Sequence, residues 1–588
     1  MPAETRDGPC PPRVLRDYAV LADGERGAVV DPDGRIVWLS APRWHSDALF
    51  SSLIGGRGHF SVEPVDRWRV WGGYYEEGTL IRVSRWLTAD SVIECRDALA
   101  MPASADRLVL LRRMRVERGE AVLRLSLDPR PGFGARSMGN HRLEAGGVWT
   151  AESPGLRLRL LGADRAGWHP GSGLSGEFRL RGGERHDIVL EIATGPSTGP
   201  LDPAELWRRT EQEWASAVPD CSALAAPRDA RHAYAVIRGL TSADGGMVAA
   251  ATTSLPERAD TGRNYDYRFA WLRDQCYAGL AIAAHGAHDL LDRAVQFAAE
   301  RLIEDGEHVR PAYAVTGEPV PEQRPLRLLG YPGGSDRIGN QASAQFQLDT
   351  FGEVLQLMAA AARHDRLTPD AERAVHIAAE AVERNWRRPD AGLWELEDRW
   401  WTHSRLSVVC GLRSVAEVMP RAAARRFDEI ADAVLGETRR RCLRSDGRWR
   451  RAADDDGPEA ALLVPMARHC PSRDPQAAAV TRAFIEERLA TDGYVYRFEH
   501  PGTRLGEAEG AFLLCGFMMA LATDGLGDRT GALRWFERTR AACGPSGLFA
   551  EEYDVRQRQL RGNLPQVFVH AALLECAVRL SDASGPLP

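Results

Sequence analysis

The spacing of apolar residues changes once along this sequence, near residue 228, from a period of two to the period of an α-helix. Before that point, alternating segments are separated by turn-forming pairs such as Pro131-Gly132. Such alternation is typical of strands with one buried face. The pattern predicts an antiparallel β-sandwich in residues 1–200, a linker with one helical piece in 201–227, and a helical domain in 228–588. The clearest candidate strands are 108–116, 121–127, 156–161, 177–180 and 187–192.

Twelve helical segments are predicted after residue 228, and the connections between them alternate in length. Connections after even-numbered segments are short, whereas those after odd-numbered segments are long and rich in aromatic and charged residues. Alternate connections of an up-and-down helical array lie at alternate ends, so the long ones should meet on one face. This arrangement predicts an (α/α)6 barrel with its site at one mouth. The predicted helices are 230–241, 271–285, 287–304, 341–363, 370–388, 405–419, 421–442, 457–468, 474–490, 507–523, 529–542 and 565–581.

The long connections carry the side chains that could do chemistry. Their aromatic residues can stack under the C–H faces of a sugar, and their charged groups can bind its hydroxyls. Glycoside hydrolysis also needs two carboxyl groups on opposite sides of the scissile bond. Glu395 follows Trp394, whose apolar face could raise the pKa of a general acid, and Glu551 lies before the last helix. The segments expected to line a single cavity are 263–274, 330–340, 392–403, 496–498 and 548–554.

Each of these residues also has a structural interpretation when it is taken alone. A single glutamate is usually a solvated surface group, and Arg273-Asp274 is a common ion pair at a helix start. His403 and His570 are more often packing or capping residues than ligands, and Asp454 to Asp456 look like a solvated turn with a helix cap. The catalytic interpretation is favoured because five rich segments are predicted on one face.

Composition excludes several classes of function. The net charge of -7 comes without a basic stripe, which argues against nucleic-acid binding. All 75 basic residues are arginine, so no Schiff-base, pyridoxal-anchoring or P-loop lysine exists. The ten cysteines form no CxxC pair and no Cys/His cluster, and neither a metal nor a cofactor is predicted. The N-terminus lacks the apolar segment of a signal peptide, and no run is long enough to span a membrane, which predicts a cytoplasmic location.

Several motifs identify a family. They are Asp17 to Val20, Asp33 to Leu39, Arg263 to Asp274, Gly392 to Ser404, Glu509 to Phe512 and Gly562 to His570. With them the chain resembles glycoside hydrolase family 15, the glucoamylase, glucodextranase and bacterial trehalase group, over nearly its full length.

The resemblance implies a role for each matching residue. It implies Glu395 as general acid and Glu551 as general base in a domain of (α/α)6 type. It also implies a set of substrate-binding residues, with the first three on the terminal sugar: Arg273, Asp274, Arg497, Trp394, Tyr331, Arg337 and Glu552. The chain departs from the family pattern at His45, Glu397, Arg413 and Met518. These departures leave both glutamates in place but leave the sugar and the aglycone open.

The predicted function is an inverting, exo-acting α-glycoside hydrolase that releases a terminal glucose from a small α-glucoside. Inversion by a single displacement needs carboxyl groups roughly 6.5–9.5 Å apart, with a water between them and the sugar. A glycoside phosphorylase would use phosphate in place of this water and would not need Glu551. Two further hypotheses are a tailoring enzyme of secondary metabolism acting on a glycosylated or pseudo-sugar intermediate, and a non-catalytic sugar-binding protein.

Overall fold

The computed structural model describes residues 11–196, 199–259, 262–468 and 474–581. Its first part consists of two eight-stranded antiparallel sheets, and its second part is helical. The prediction that an antiparallel sheet region precedes a helical one is therefore confirmed. The sixteen strands are β1 Ala19–Ala22, β2 Gly27–Val30, β3 Ile36–Ser40, β4 Ala48–Phe50, β5 His59–Pro64, β6 Val70–Tyr75, β7 Arg82–Leu87, β8 Val92–Leu99, β9 Arg107–Arg118, β10 Glu120–Asp128, β11 Gly139–Glu144, β12 Val148–Ser153, β13 Leu156–Leu161, β14 Gly167–His169, β15 Gly173–Arg181 and β16 Arg185–Ala193.

The two sheets enclose an apolar layer between them. One sheet runs β1-β2-β3-β5-β10-β15-β14, with β4 paired to β3, and the other runs β11-β12-β13-β16-β9-β8-β7-β6. Strand β9 shows how the period of two sorts side chains. Leu108 and Leu110 pack in the layer between the sheets, whereas Val109 and Leu111 pack in a core that continues into the helical region. The second sheet is thus buried on both faces at this strand.

The helical part contains an inner set of helices that contact one another in a closed cycle. Each of α3, α5, α7, α9, α11 and α13 contacts the next, and α13 contacts α3. The helices are α1 Pro203–Ala217, α2 Pro227–Leu240, α3 Leu272–His285, α4 Asp289–Asp305, α5 Asp349–Arg363, α6 Pro369–Asn385, α7 Thr402–Ala416, α8 Arg421–Cys442, α9 Leu463–Ala467, α10 Pro475–Leu489, α11 Leu513–Gly525, α12 Arg529–Arg540 and α13 Val567–Arg579. All six inner helices begin directly after a long connection, so these connections lead into the same ring.

Three of the twelve predicted helices begin clearly later than predicted, and the one predicted at 507–523 begins at Leu513 because Ala511–Phe512 pairs as a strand with Glu552–Asp554. The other two begin later for a different reason. The segment predicted at 341–363 becomes helical only at Asp349, because Asn340 caps a separate 3-10 turn at Gln341–Ala344. The segment predicted at 457–468 shortens to Leu463–Ala467 after a 3-10 turn, and the Glu459 side chain accepts a hydrogen bond from Ala461 N at its start. In both places a polar side chain bonds to backbone groups that the helix would otherwise use. No helix within the described residues is long and apolar enough to cross a membrane.

Candidate active site

Glu395 lies in a tight turn between α6 and α7. Its φ of 57° is in the left-handed region, which non-glycine residues seldom adopt because the Cβ atom crowds the backbone. The turn is closed by Glu395 N donating to Gly392 O at 3.2 Å and by Leu396 N donating to Ala391 O at 2.9 Å. Gln345 Nε2 also donates to the carbonyl of Glu395 at 3.3 Å. The unusual backbone conformation is therefore held by neighbours on both sides.

The carboxylate of Glu395 points to residues at the start of α3. Its Oε1 accepts a hydrogen bond from the Trp271 indole at 2.7 Å, and Arg273 lies 3.4 Å away. Arg273 in turn donates to Gln347 Oε1 at 3.4 Å. The side chain of Glu395 remains partly exposed, so its carboxyl is accessible from outside the cluster.

Glu551 occupies a different environment, next to a short strand that enters the helical core. That strand, Glu552–Asp554, pairs with Ala511–Phe512 and with Gln559–Arg561, which fixes the backbone beside Glu551. Glu551 is buried, and both of its carboxylate oxygens lie 3.1 Å from the Tyr267 hydroxyl. Its position is thus determined by strand pairing and by one phenol.

Tyr267 and Trp271 connect the two glutamates. Their rings meet edge to face with centroids 5.5 Å apart, while one ring contacts Glu551 and the other contacts Glu395. Direct contacts also bring the five predicted segments together. Gly339 N donates to Asp266 at 3.1 Å, and Arg497 lies over the Trp394 ring at 5.6 Å.

A buried network of acids and arginines surrounds the Glu551 side of the cluster. Arg497 donates to Glu509 at 2.5 and 3.3 Å and lies 4.8 Å over the Phe512 ring. Arg263 joins Glu509 to Glu257, at 3.1 Å to each. Glu257 also lies close to Glu551, since a side chain at Gly562 would meet both of them within 4 Å.

Burial and charge divide these carboxyl groups into two kinds. Burial, reinforced by the negative charge of Glu257, raises the pKa of Glu551 well above its ordinary value, although Arg497 and the Tyr267 hydrogen bond oppose the effect. Burial and Glu257 also raise the pKa of Glu552. Burial opposes ionisation of Glu509 as well, but Arg497 and His500 overcome it and lower the pKa of Glu509 to about 2. Glu509 therefore stays ionised as the counter-ion of Arg497, whereas the raised pKa of Glu551 lets it hold a proton more readily.

Among the predicted substrate-binding residues, two buried acceptor oxygens have no hydrogen-bond partner among the described residues. They are Oδ1 of Asp274 and Oε1 of Glu552. The other oxygen of Glu552 accepts from Gly510 N at 2.6 Å. Burial raises the pKa of Asp274 to about 7. Buried unpaired oxygens cost free energy, so they suit a polar ligand that would supply the missing donors.

Two predicted substrate-binding residues have their described contacts elsewhere. The Tyr331 hydroxyl donates to Arg13 O at 2.5 Å, toward the sheet region, because the preceding Gly330 N donates to Ile54 O at 3.0 Å and fixes this loop there. Arg337 uses its carbonyl to accept from Thr253 and Ser254 hydroxyls at 2.6 and 2.7 Å. Both residues therefore hold the 330–340 segment in place.

That the apolar face of Trp394 raises the pKa of Glu395 stays a prediction, but the N–H group of this indole lies elsewhere. The indole of Trp394 donates to Glu459 at 2.6 Å, and Arg451 holds the other oxygen of Glu459 at 3.0 Å. The indole that donates a hydrogen bond to Glu395 is that of Trp271, from another connection.

Sequence reasoning assigned no role to four residues that the structure places here. Tyr267 and Trp271 lie within the motif at 263–274, and aromatic residues in such a motif already indicate contact with a sugar. Glu257 and Glu459 stand outside all the segments singled out, and only the folded chain brings them to Glu551 and Trp394.

The four departures from the family pattern lie in ordinary structural surroundings. Glu397 pairs with Arg399 at 2.6 Å on the surface, and Arg413 pairs with Asp432 at 2.8 Å between α7 and α8. Met518 is buried inside α11. The His45 ring stacks near Phe269, and burial lowers the pKa of this histidine.

Comparison with known proteins gives a consistent family. The model of glycosyl hydrolases family 15 matches residues 230–578, and a trehalase-like N-terminal model matches residues 8–198. A trehalase of Mycobacterium tuberculosis is 29% identical over 98% of this chain and 92% of its own, and one of Mycolicibacterium smegmatis is 28% identical over 99% and 94%. An isomaltose glucohydrolase of Kribbella flavida is 27% identical over 52% of this chain and 77% of its own.

A solved structure has a similar fold over nearly the full length of this chain. The crystal structure of a bacterial glucoamylase complexed with acarbose covers 97% of this chain and 96% of that one, with a TM-score of 0.71 at 13% identity. Since the family model also spans more than half of the chain, the protein belongs to glycosyl hydrolases family 15 and is a glycoside hydrolase acting on O-glycosidic bonds.

Proposed function

We propose that the protein is an inverting, exo-acting α-glucosidase that releases a terminal glucose from small α-glucosides, with trehalose as the first candidate substrate. One observation carries the proposal: Glu395 and Glu551 lie in one cluster, separated by the rings of Trp271 and Tyr267. In the proposed mechanism a water, and not a carboxylate, attacks the sugar. Similarity to proteins named trehalases supports an α-glucoside substrate.

In this mechanism Glu395 protonates the glycosidic oxygen while Glu551 removes a proton from a water on the other side of the sugar. The bond between C1 and the glycosidic oxygen breaks, the water oxygen bonds to C1, and the configuration inverts. The raised pKa of Glu551 makes it a stronger base once it is ionised. Glu395, which is partly exposed, can exchange its proton with solvent between turnovers.

Recognition of the terminal sugar is assigned to the polar groups beside the two glutamates. Arg273 and Arg497 would donate to sugar hydroxyls, and the unpaired oxygens of Asp274 and Glu552 would accept from them. A buried hydrogen bond to a charged group contributes about 1.5–3 kcal/mol, so an epimer that misplaces one hydroxyl should lose at least tenfold in kcat/KM. Tyr331 and Arg337 would act only through the loop that they anchor.

The same proposal includes the architecture around the site. We infer an (α/α)6 barrel with the site at one mouth, because the six inner helices contact in a closed cycle and all follow long connections. The division into domains 1–200, 201–227 and 228–588, and a location in the cytoplasm, remain predictions from the sequence.

A substrate panel with product analysis tests the proposal. Trehalose, isomaltose, maltose, panose and soluble starch would be compared by glucose release, with short substrates expected to be preferred over starch. Proton NMR of a fresh aryl α-glucoside digest, in which all the free glucose comes from the cleaved bond, should show β-glucose first, and α-glucose as the first anomer would refute inversion. Phosphate-dependent formation of glucose 1-phosphate would instead support the phosphorylase. Inactivity on the whole panel would favour the tailoring enzyme of secondary metabolism.

A further inference from the structure

The acid loop, residues 391–398, is closed at its base by a buried ion pair. Asp390 and Arg405 pair with both side chains fully buried. The backbone of Asp390 also exchanges two hydrogen bonds with Arg399, each of 3.0 Å, which joins the two ends of the loop. Neither member of the pair has a described contact with Glu395 or Glu551.

One carboxylate oxygen of Asp390 accepts hydrogen bonds from three segments of the chain. Oδ2 accepts hydrogen bonds from Gly392 N at 3.2 Å, Leu348 N at 3.3 Å and the Ser404 hydroxyl at 2.7 Å. These donors belong to the acid loop, to the residue before α5 and to the first turn of α7. A shift of this carboxylate would therefore move the acid loop relative to two inner helices.

Arg405 fixes the segments on either side of the loop. Besides Asp390, its guanidinium donates to the carbonyls of Trp386, Arg388 and Trp401. The planar group thus uses all three nitrogens on groups that precede and follow Glu395 in the chain. A buried charge pair with this many partners specifies one geometry, because any other leaves charged atoms unpaired.

This geometry matters because the turn at Glu395 is unfavourable by itself. A positive φ at a glutamate, close to Gly392 with φ of 68°, persists only when surrounding structure imposes it. We propose that the Asp390–Arg405 pair is a positioning device that holds Glu395 in line for proton donation to the leaving group. The inference rests on the proposed role of Glu395 as general acid.

The test compares two substrates that differ in their need for an acid. Trehalose has a poor leaving group that must be protonated, whereas α-glucosyl fluoride has a leaving group that needs little protonation. In Asp390→Asn we expect kcat on trehalose to fall at least 100-fold, kcat on the fluoride to fall less than 10-fold, and both KM values to stay within about threefold. Equal losses on both substrates, or no loss, would overturn the proposal.

Three further variants separate the possible causes. The Asp97–Arg112 pair in the sheets is equally buried, so Asp97→Asn serves as the matched control and should leave the ratio of the two kcat values unchanged. Glu395→Gln should change that ratio more than Asp390→Asn does. If it does not, the proposed function fails and not only the positioning role.

A fallback variant is available if Asp390→Asn fails to fold. Ser404→Ala removes one hydrogen bond to the Asp390 carboxylate without leaving a charge unpaired. A change of at least threefold in its ratio supports the proposal, and an unchanged ratio overturns it.

Discussion

The two sides of the site hold their glutamates by different means. On the acid side, Glu395 is partly exposed in a turn of unfavourable φ, and it contacts an indole and an arginine. On the base side, Glu551 is buried beside a paired strand, and the charge that acts most strongly on its pKa is another carboxylate, Glu257. For the proposed roles, the difference teaches that the structure holds the geometry of the proposed acid, Glu395, whereas it adjusts the proton affinity of the proposed base, Glu551.

The largest expected effect comes from removing either carboxylate. Glu395→Gln and Glu551→Gln should each lower kcat on trehalose by about 10²–10⁴-fold, since each loses a proton-transfer step. The comparison predicts that α-glucosyl fluoride restores much of the activity of Glu395→Gln but little of that of Glu551→Gln, which still lacks its base. Steady-state kinetics on the two substrates would check this. Equal recovery of both variants would contradict the division of roles.

Removing the phenol beside Glu551 should have a smaller effect on rate and a definite effect on the pH profile. The Tyr267 hydrogen bonds favour the ionised form of Glu551 and lower its pKa. In Tyr267→Phe we expect kcat/KM to fall roughly 10-fold and the acidic limb to move to higher pH, because the base then keeps its proton longer. Tyr265→Phe, in the neighbouring stacked ring, is the matched control. A limb that stays in place would show that Tyr267 does not act through Glu551.

Removing the neighbouring charge should move the same limb in the opposite direction. Glu257 raises the pKa of Glu551, so Glu257→Gln should lower that pKa and let the base ionise at lower pH. We therefore expect the acidic limb of kcat/KM to move to lower pH. Glu191→Gln, at a buried glutamate of the sheets, should leave the profile unchanged. An upward shift in Glu257→Gln would break the electrostatic account of the base side.

The last prediction concerns the free energy of unfolding and tests what it costs to bury a carboxyl that has no hydrogen-bond partner. Asp349, the first residue of α5, is fully buried with both oxygens unpaired among the described residues, and burial raises its pKa to about 7. A carboxyl with a raised folded pKa stabilises below the unfolded pKa and loses that contribution as pH rises to about 7. Since one pKa unit corresponds to about 1.4 kcal/mol, Asp349→Asn should be more stable than the native chain by up to about 4 kcal/mol at pH 8 and little different at pH 4.

Urea unfolding at the two pH values would measure this difference. Asp97→Asn is the contrasting variant, since its carboxylate is paired with Arg112 and its loss should destabilise the protein at pH 8. If Asp349→Asn is no more stable than the native chain at pH 8, burying this unpaired carboxyl costs little free energy, and the prediction is wrong.

Local periodicity was enough to predict the order of the two regions. Strands such as β13, at Leu156–Leu161, and helices such as α8, at Arg421–Cys442, were predicted with the observed bounds because their apolar residues repeat at one period. The predictions were less accurate where side chains bond to the backbone, as at Asn340 and Glu459. Periodicity does not register such bonds.

The sequence by itself determined that Glu395 and Glu551 lie on long connections before inner helices, because these connections alternate with short ones whatever the details of packing. Only the tertiary structure decided what surrounds each carboxyl. Folding brings the Trp394 indole to Glu459, the Trp271 indole to Glu395, and Glu257 close to Glu551. The physical reason is range: helix and strand periods arise between near neighbours in the chain, whereas burial and charge act between residues that only folding brings together.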